Sequence, residues 1–551
     1  MANVNKSGGD TPARKVSVLI VGGGPVGLAL AAELGWRGIR CELVEQTDGS
    51  IATPKMNEVN IRTMEFCRRW GIADSVMNCP FPQDHPLDVV FVTSIAGHEL
   101  ARMRRPPLNR RQAEPHSPMH MQICSQLWFD PILRSYAQSQ ACVALRYRRR
   151  LERFEASADG VIAELSDLES GMHETVAADY LVGCDGATSA IRGTLGIGLG
   201  GEGILGHPLH LFFRAPDLLA RCGREPGVFF LAIDRGGLWA NIRVIDPQNG
   251  LWRLMVLDTD GTQTPDSVDR DALLRRAIGR AVDVEWKGLS IWTRRSVVAE
   301  RYWQGRVFLA GDAVHQLSPT GALGMNTGIG DAVDLGWKLA AVLEGWGGAG
   351  LLSSYDSERR PIGLRNVSMA AEFYLAHGGF ADGIAAIEDD TDSGRQIRRR
   401  LGESLNRDVG RMFRTAGLQL GYRYEGSPIC VPDDTPAPPD DPEQFTPSAR
   451  PGGRAPHAWL RGGRSTLDLF GRKFILMRFG ECDTAGLERA AKSRGVPLDV
   501  VDLDEPEVAN LYERRLVLVR PDGHVAWRGD EISENAATLI DRVRGAAERI
   551  N

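Results

Sequence analysis

The stretch KVSVLIVGGGPVGLALAAELGWRGIRCELVE, residues 15–45, decides the fold of this protein. It begins with an apolar run, Lys15–Val21, which is typical of a buried strand, and continues through a glycine-rich turn. The apolar segment that begins at Pro25 predicts a helix, because proline at an early helical position loses no hydrogen bond. A second strand-like run ends at Glu45. Strand, turn, helix and strand within about 30 residues predict a βαβ unit.

The turn has the spacing Gly22-x-Gly24-x-x-Gly27, which is typical of dinucleotide-binding proteins. Gly22 permits a tight turn, Gly24 lets the backbone approach a pyrophosphate, and Gly27 lets helix and strand pack closely. The helix beginning at Pro25 presents free N–H groups to the phosphates. Glu45, at the end of the second strand, can bind ribose hydroxyls. We expect a bound dinucleotide rather than a turn without a ligand, but this motif does not separate FAD from NAD.

Two later strand ends carry similar features. One apolar strand ends at Cys184 and is followed by Asp185-Gly186, and another ends at Ala310 and is followed by Gly311-Asp312. Ligands of open α/β sheets lie at the carboxyl ends of the strands. Three such ends with glycine or acid therefore predict a long ligand that extends across several strands.

The composition limits which partners, metal sites and cellular locations we expect for this protein. The 551 residues, 43% hydrophobic and 25% charged, are typical of a globular protein with several domains. A net charge of −6 argues against a nucleic-acid partner. The nine cysteines contain no Cys-x-x-Cys pair and the histidines lack metal-ligand spacing, so we predict no metal site and a cytoplasmic location. Glycines interrupt the apolar run at 16–32, which favours the βαβ interpretation over a membrane segment.

The rest of the chain predicts further units. Strand-like runs between residues 205 and 290 predict an inserted antiparallel sheet. Seven prolines and five acidic residues at 432–451 have a linker composition. Beyond them, alternating strand and helix patterns predict a small α/β domain. The predicted units are a discontinuous dinucleotide-binding domain (14–80, 118–200 and 288–365), a substrate-binding sheet domain (81–117 and 201–287), a helical segment (366–430), a linker (431–450) and a C-terminal domain (451–551).

Longer stretches carry a family resemblance. RVFLAGDAVH (306–315) and GMNTGIGDAVDLGWKLA (324–340), together with the glycine-rich turn and Asp185-Gly186, resemble the group A FAD-dependent aromatic hydroxylases, the family of p-hydroxybenzoate hydroxylase and phenol hydroxylase. PGGRAPHAWL (451–460) and LVLVRPDGHVAWRG (516–529) resemble the thioredoxin-like C-terminal domain of its phenol, chlorophenol and polyketide hydroxylase branch. The resemblance implies an α/β fold: a Rossmann-like FAD-binding domain with an inserted antiparallel-sheet substrate domain and a C-terminal thioredoxin-like domain.

The resemblance also implies which residues hold FAD. Glu45 would bind the adenosine ribose, and Asp312 the flavin ribitol. The N–H groups of residues 324–326 would face the part of the flavin that becomes negative on reduction, and Pro319 would lie near its reacting edge. The full implied set is Gly22, Gly24, Pro25, Gly27, Glu45, Gln46, Lys55, Gln126, Asp185, Gly311, Asp312, Pro319, Gly324, Met325 and Asn326.

The implied activity is aromatic hydroxylation. NAD(P)H would reduce FAD, and O2 would then form a flavin C4a-hydroperoxide that hydroxylates a small phenolic or polyketide-like aromatic substrate. A base or a positive field near the phenol oxygen would assist. Phenol hydroxylases carry an acid where this chain has Asn57, so we assign no catalytic base. As catalytic candidates we take Pro319, His210, Arg214 and Asn241, although strand alternation places the last three equally well in an ordinary core or surface.

Some alternatives stay open at this point. A Baeyer–Villiger or epoxidising flavin monooxygenase of the same fold would carry the same motifs, as would a flavin-binding protein without turnover. Homodimerisation is also left open.

Overall fold

The computed structural model describes residues 14–259, 261–376, 383–532 and 535–547. None of the helices in these ranges is both long and apolar enough to cross a lipid bilayer. The helices are α1 (Pro25–Trp36), α2 (Ile61–Trp70), α3 (Ala73–Met77), α4 (Gln126–Gln138), α5 (Ala190–Thr194), α6 (Leu218–Arg221), α7 (Arg270–Ile278), α8 (Gly324–Leu343), α9 (Ser354–Leu375), α10 (Asp392–Asp408), α11 (Ala416–Leu420), α12 (Ala485–Ser493), α13 (Pro506–Tyr512) and α14 (Ala536–Val543).

The strands of the same ranges form five sheets. They are β1 (Arg14–Val21), β2 (Cys41–Glu45), β3 (Glu58–Val59), β4 (Val89–Val92), β5 (Glu99–Met103), β6 (Gln122–Ile123), β7 (Val143–Tyr147), β8 (Arg149–Ala156), β9 (Val161–Asp167), β10 (His173–Gly183), β11 (Leu199–Gly206), β12 (Leu209–Arg214), β13 (Phe229–Asp234), β14 (Gly237–Asp246), β15 (Leu251–Val256), β16 (Glu285–Ile291), β17 (Arg294–Ala299), β18 (Trp303–Gln304), β19 (Val307–Leu309), β20 (His315–Gln316), β21 (Phe474–Phe479), β22 (Leu498–Leu503), β23 (Leu516–Val519) and β24 (Val525–Gly529).

The first sheet contains the βαβ unit predicted from residues 15–45. Its order is β18-β19-β10-β1-β2-β7, with β9 and β8 branching from β10. The five strands from β19 to β7 are all parallel. In register, Val21 pairs with both Gly183 and Val44, and Gly183 pairs with Leu309. The carboxyl ends of β1, β2, β10 and β19 therefore meet at one edge of the sheet.

Helix α8 covers this edge because small residues let it approach α1. A Cβ added to Gly328 would lie 2.5 Å from Val26 Cγ2, and one added to Gly336 would lie 2.6 Å from Glu33 Cγ. Most of α8 is buried. Its N-terminus is thereby held beside the strand ends.

The inserted domain is built on a seven-stranded sheet of order β16-β12-β15-β14-β13-β4-β5. The sheet is antiparallel, as predicted, except that β13 and β4 are parallel. Because β4 enters from a separate stretch of chain, no hairpin dictates its direction. β16 crosses the boundary predicted at residue 288 and belongs to this sheet. Its packing against β12 was not visible in the sequence.

The C-terminal domain is thioredoxin-like. Its sheet has the order β22-β21-β23-β24. β21, α12 and β22 form a parallel βαβ unit, and β23 and β24 follow as an antiparallel pair. Separate apolar clusters pack on the two faces of this sheet, one of which includes Trp337 of α8.

Two buried ion networks join this domain to the rest of the chain. Arg454 and Arg62 both contact the Glu65 carboxylate of α2. Arg520 contacts Glu358 of α9 at 2.6 Å, where Lys338 also donates. All of these groups are buried, so separating the domains would leave charged side chains without their ion-pair partners. The C-terminal domain is therefore an integral part of the fold.

The segment predicted as a linker has neither helix nor strand, but it is held on both sides. Val431 N–H donates to Ala526 O at 2.8 Å. Asp433 pairs with Arg528 and Asp440 with Arg365. These contacts make residues 431–450 a fixed connection rather than a free spacer.

Candidate active site

A crevice lies along the carboxyl ends of the parallel strands, and the glycine-rich turn forms one side of it. Gly22 has φ +112°, and a Cβ there would lie 2.2 Å from Cys184 O. A Cβ on Gly27 would lie 2.0 Å from Gly22 O. By contrast, a Cβ on Gly24 would meet no atom within 4 Å. Gly22 and Gly27 are therefore required by the fold, whereas Gly24 leaves open space above the N-terminus of α1.

Acidic residues border the crevice at three strand ends. Glu45 accepts hydrogen bonds from the N–H groups of Gly23 and Thr47, both at 2.7 Å. Asp185 accepts from Ile191 N–H through Oδ2, but its buried Oδ1 has no hydrogen-bond partner in the described part of the chain. Desolvation by the surrounding protein raises the pKa of Asp312, while the nearby Lys55 charge acts in the opposite direction. The Asp312 side chain is nevertheless exposed to the open crevice.

A buried network behind Gly311 sets the shape of this motif. The Asp331 carboxylate accepts from Gly311 N–H at 3.1 Å and from Arg359 at 2.8 Å, and it contacts His315 Nε2 at 2.7 Å. Burial would raise the pKa of Asp331, but the charges of His315 and Arg359 outweigh it and hold the pKa below its usual value. Asp331 lies within the stretch 324–340 that carries the family resemblance. Its role in shaping the turn comes only from the tertiary structure.

The N-terminus of α8 points its first turn at the same crevice. The first N–H groups of a helix, here those of residues 324–326, have no partner within the helix. The Asn326 side chain hydrogen-bonds to the segment before and within α2. Its Oδ1 accepts from Asn60 N–H and from the Thr63 hydroxyl, and its Nδ2 donates to Glu58 O. Pro319, just before this turn, is exposed.

Residues 54–57 connect the crevice to the inserted sheet. The Gln126 side chain fixes this segment, because Oε1 accepts from Lys55 N–H at 2.9 Å while Nε2 donates to Asp130 at 3.0 Å. Lys55 lies close enough to influence the pKa of both Asp312 and His210. Glu58 links the N-terminus of α8 to the sheet face, because its backbone O accepts from Asn326 Nδ2 at 3.1 Å and its carboxylate accepts from Arg243 Nη2 at 3.2 Å.

That sheet face is polar and buried. Cross-strand pairing places His210, Met255 and Asn241 in one row across β12, β15 and β14. Phe212, Arg253 and Arg243 form the next row on the same face, two residues along. The opposite face carries apolar residues such as Leu211, Leu254 and Ile242. Since His, Asn and Arg are rarely buried in ordinary cores, this polar face is a candidate binding surface.

The comparisons with known proteins agree with this arrangement. The family profile "FAD binding domain" matches residues 15–370, and the profile "Aromatic-ring hydroxylase, C-terminal" matches residues 448–547. The chain belongs to the FAD-dependent aromatic-ring hydroxylases. A "Putative polyketide hydroxylase" of Streptomyces halstedii is 35% identical over 95% of each chain.

Two solved structures align with the hydroxylase over nearly its full length. The rebeccamycin biosynthetic enzyme RebC with bound 7-carboxy-K252c is 41% identical, with a TM-score of 0.91, over 97% of this chain and 100% of that one. Aklavinone-11 hydroxylase, solved with FAD and aklavinone, is 32% identical, with a TM-score of 0.81, over 97% and 99%. The predicted family, fold class and cofactor are therefore confirmed: the protein is an FAD-dependent aromatic monooxygenase.

The crevice of the hydroxylase fits FAD. Open space at Gly24 matches a pyrophosphate, which needs close approach to the backbone. The orphaned Asp185 Oδ1 and the exposed Asp312 carboxylate are acceptors that hydroxyl-rich groups would satisfy. Gln46 is exposed directly after β2, where it adds a further polar group.

The structure gathers most of the predicted site residues but not Arg214. This arginine lies at the outer end of β12 and is exposed. Its Nε donates to Asn249 O at 2.9 Å, and its other partner is Glu285 at 3.8 Å. Arg214 lies at the open end of β12, four residues beyond His210, so we remove it from the catalytic candidates.

His210 is neutral and already accepts one hydrogen bond. Burial lowers its pKa well below the usual value, and the charges of Arg253, Arg294 and Lys55 act in the same direction. Trp292 Nε1 lies 3.3 Å from His210 Nε2. Because an indole only donates, Nε2 must accept, and the proton resides on Nδ1. His210 can therefore donate a hydrogen bond from Nδ1, but because it is neutral it does not act as an imidazolium acid.

Two arginines lie on this face besides the catalytic candidates: Arg243 shares a strand face with Asn241 by alternation, and Arg253 was missed in the sequence. Arg243 donates through Nη2 to Glu58 at 3.2 Å, and its Nε lies 3.2 Å from the Asn57 amide oxygen when that amide is oriented to donate to Met56 O. Asn57 and Glu58 thus both hold the Arg243 side chain. Arg253 lies beside it on β15. Alternation from Asn241 predicts the position of Arg243, but no local pattern shows that β15 lies between β12 and β14.

Proposed function

We propose that this hydroxylase inserts one oxygen atom of O2 into the ring of a phenolic or polyketide-like aromatic substrate, with NAD(P)H as the electron donor. One observation carries the proposal: Glu58 joins the two regions, because its backbone O accepts from Asn326 at the start of α8 and its carboxylate accepts from Arg243 on the buried polar face of the inserted sheet. The names of the polyketide hydroxylase and aklavinone-11 hydroxylase relatives support this substrate class.

The strand ends would hold the two halves of FAD. Gly22, Gly24, Pro25 and Gly27 would place the pyrophosphate at the N-terminus of α1. Glu45, with Gln46 beside it, would bind the adenosine ribose. The carboxylate of Asp312, next to Gly311, would accept from the ribitol hydroxyls.

The remaining crevice residues would position and stabilise the flavin ring. Bound FAD supplies the redox chemistry, taking electrons from NAD(P)H and delivering them to O2. The N–H groups of Gly324, Met325 and Asn326 would stabilise negative charge on the reduced ring. Lys55 and Gln126 would keep the segment beside the ring in place, and Asp185 would support the other side.

The sheet face would orient the substrate. His210 would donate from Nδ1 to a substrate oxygen. Asn241, whose buried Oδ1 has no partner among the described residues, would accept from a substrate hydroxyl. Phe212 and Met255 supply apolar surface between these polar groups. Pro319, exposed at the mouth, would exclude water from the reacting edge.

We also propose a cytoplasmic protein. All nine cysteines are free in the structure, which suits a reducing compartment. Homodimer formation stays a prediction.

The test combines spectroscopy with turnover. Purified protein should be yellow, or become so with added FAD, and a panel of phenols, hydroxybenzoates and polycyclic quinones should contain compounds that stimulate NAD(P)H oxidation. Mass spectrometry with isotopic O2 should show one labelled oxygen on the ring. A ring-expanded ester or an epoxide would instead indicate one of the alternative oxygenations, and flavin binding without any donor oxidation would contradict the proposed function.

A further inference from the structure

A single carboxylate, that of Glu65 on α2, connects the C-terminal domain to the loop between β5 and β6, which we call the 104–121 loop. Arg454 of the C-terminal domain donates to this carboxylate through Nε at 3.0 Å and also through Nη2. Ser117 of the loop donates its hydroxyl to Glu65 Oε1 at 2.7 Å. Arg454 Nη2 donates in addition to the backbone O of His116 at 3.0 Å. One arginine of the C-terminal domain therefore holds the loop both directly and through Glu65.

This junction is buried and charged. Arg454, Glu65 and Ser117 are all buried. Burial alone would raise the pKa of Glu65, but the charges of Arg454 and Arg62 outweigh it and hold that pKa below its usual value. The carboxylate is therefore ionised at neutral pH, and its hydrogen bonds are charge-assisted, which makes them about twice as strong as neutral ones. The planar fork of an arginine reaches both carboxylate oxygens and the His116 carbonyl, a geometry that a lysine ammonium does not reproduce.

The C-terminal end of the loop continues into the surroundings of the polar sheet face. β6 begins directly after the loop, at Gln122, and pairs with β3 so that Ile123 lies opposite Glu58. The Glu58 carboxylate accepts from Arg243 on that face at 3.2 Å. A displacement of the loop at Ser117 would therefore be transmitted through β6 and β3 to the partner of Arg243.

The N-terminal end of the loop reaches the same place through aromatic rings. The Arg105 guanidinium lies over the Phe413 ring, 5.6 Å from its centroid. Phe413 meets Phe229 of β13 edge-on, with 5.4 Å between the ring centroids. The Arg243 guanidinium lies over the other ring of this pair, 4.2 Å from the centroid of Phe229. Both ends of the 104–121 loop are thus connected to Arg243.

We propose that Arg454 is a positioning residue for the aromatic substrate: it holds the 104–121 loop and, through β6 and β3, the Glu58–Arg243 pair in the arrangement that binds substrate. The C-terminal domain thereby acts on substrate affinity without touching the substrate. This inference rests on the proposed function, which makes the polar sheet face the substrate surface, and it gives the thioredoxin-like domain a role in that function.

The test uses the full-length, FAD-loaded enzyme and three variants. S117A removes the hydrogen bond between the loop and Glu65 but leaves both arginine pairs of that carboxylate in place, so it should fold. R454K keeps the charge and loses the fork. The matched control is S427A, because the Ser427 hydroxyl donates to Glu358 in the second inter-domain network. The oxygens of both serines also accept from the N–H group two residues later, so the two deletions are closely equivalent.

Two measurements report on the loop and on the substrate surface. Hydrogen exchange followed by mass spectrometry measures how often the 104–121 loop opens. Titration by flavin absorbance measures the affinity for 1-naphthol, 2,4-dichlorophenol, 4-hydroxybenzoate and 1-hydroxyanthraquinone. We expect S117A and R454K to speed exchange in the loop about 10-fold or more and to raise the Kd of at least one probe by a similar factor, since each loses a hydrogen bond to a charged group. For a probe that is turned over, KM should rise while kcat and FAD content stay unchanged. S427A should change neither exchange in the loop nor any Kd.

The outcomes separate this inference from a purely structural role and from the proposed function. Unchanged exchange in S117A and R454K would overturn it, and so would an equal effect of S427A or the failure of every probe to bind the wild type. If the loop exchanges faster but every Kd is unchanged, the inference fails while the hydroxylase function stands. If S117A weakens binding as expected but no compound stimulates NAD(P)H oxidation, the positioning role stands and the proposed function fails. Should R454K not retain FAD, S117A decides alone.

Discussion

Arg243 and Arg253 lie directly opposite each other on β14 and β15, yet within the described residues only Arg243 has a carboxylate partner, Glu58. The two arginines therefore contribute to stability with opposite sign. Replacing an uncompensated buried charge by an apolar side chain removes a desolvation cost, whereas breaking a buried pair strands its partner.

We expect R253M to raise the melting temperature of the ligand-free protein and R243M to lower it. The expected changes in the free energy of unfolding are about 1–3 kcal/mol upwards for R253M and about 3–5 kcal/mol downwards for R243M. Thermal denaturation of the two purified variants measures this directly. A decrease in stability of similar size in both would show that Arg253 is compensated after all.

Gly24 and Gly27 separate cofactor binding from folding. A Cβ on Gly24 meets no protein atom, so G24A should fold normally but bind FAD at least ~10-fold more weakly, because the methyl group obstructs the pyrophosphate. A Cβ on Gly27 would lie 2.0 Å from Gly22 O, so G27A should lower stability even without FAD. Melting temperatures of the apoproteins, measured beside FAD titrations, test both. Normal FAD affinity in G24A would place the pyrophosphate elsewhere.

Asp312 and Asp185 should differ in their effect on FAD retention. Asp312 is exposed to the crevice, whereas Asp185 already accepts from Ile191 N–H. We expect D312A to weaken FAD binding about 10- to 100-fold, as the loss of charge-assisted hydrogen bonds implies, and D185A to weaken it much less. The ratio of flavin to protein after purification measures the effect. The assignment would be contradicted by equal flavin content in the two variants.

Asp130 should make stability depend on pH. Burial raises its pKa to about 7, above the value of about 4 in an unfolded chain. Between these values the folded state holds a proton that the unfolded state has released, so the contribution of Asp130 to stability falls as pH rises from about 4 through 7. D130N should therefore gain stability relative to the wild type over this range, by up to about 4 kcal/mol. A difference in melting temperature that does not vary with pH would rule this out.

Arg520 should hold the C-terminal domain to the rest of the chain. It contacts Glu358 and Asp334 in a fully buried network. We expect R520A to lower the free energy of unfolding by about 3–5 kcal/mol. R461A, which removes an exposed pair with Asp504, should lower it by less than about 1 kcal/mol.

Deletion of residues 451–551 removes both Arg520 and Arg454 and should leave a chain that aggregates. A soluble, FAD-loaded truncation would show that the domains are independent.

Local patterns were sufficient for the dinucleotide-binding part of the protein. The requirements of its turn are short-range. Position 22 requires a positive φ and position 27 has no room for a side chain, so both favour glycine. Position 25 is the first residue of a helix, where proline is tolerated. The resemblance of the later motifs then predicted the cofactor. The thioredoxin-like domain followed in the same way from residues 451–529.

The sheet face was only half visible in the sequence. Alternation placed His210 and Phe212 together, and Asn241 with Arg243, but it also included Arg214, which the end of β12 leaves exposed. Alternation does not reveal which strands are neighbours. The parallel pairing of β13 with β4 and the inclusion of β16 were hidden for the same reason.

Residues near one another in the chain were sufficient to predict the βαβ unit, the three strand ends that carry glycine or acid, and the family. Only the packed structure showed that β15 lies between β12 and β14, that Glu58 neutralises Arg243, and that Arg253 has no partner among the residues that the structure describes. Burial and charge compensation are sums over residues far apart in the chain, so they exist only once the sheets have packed together.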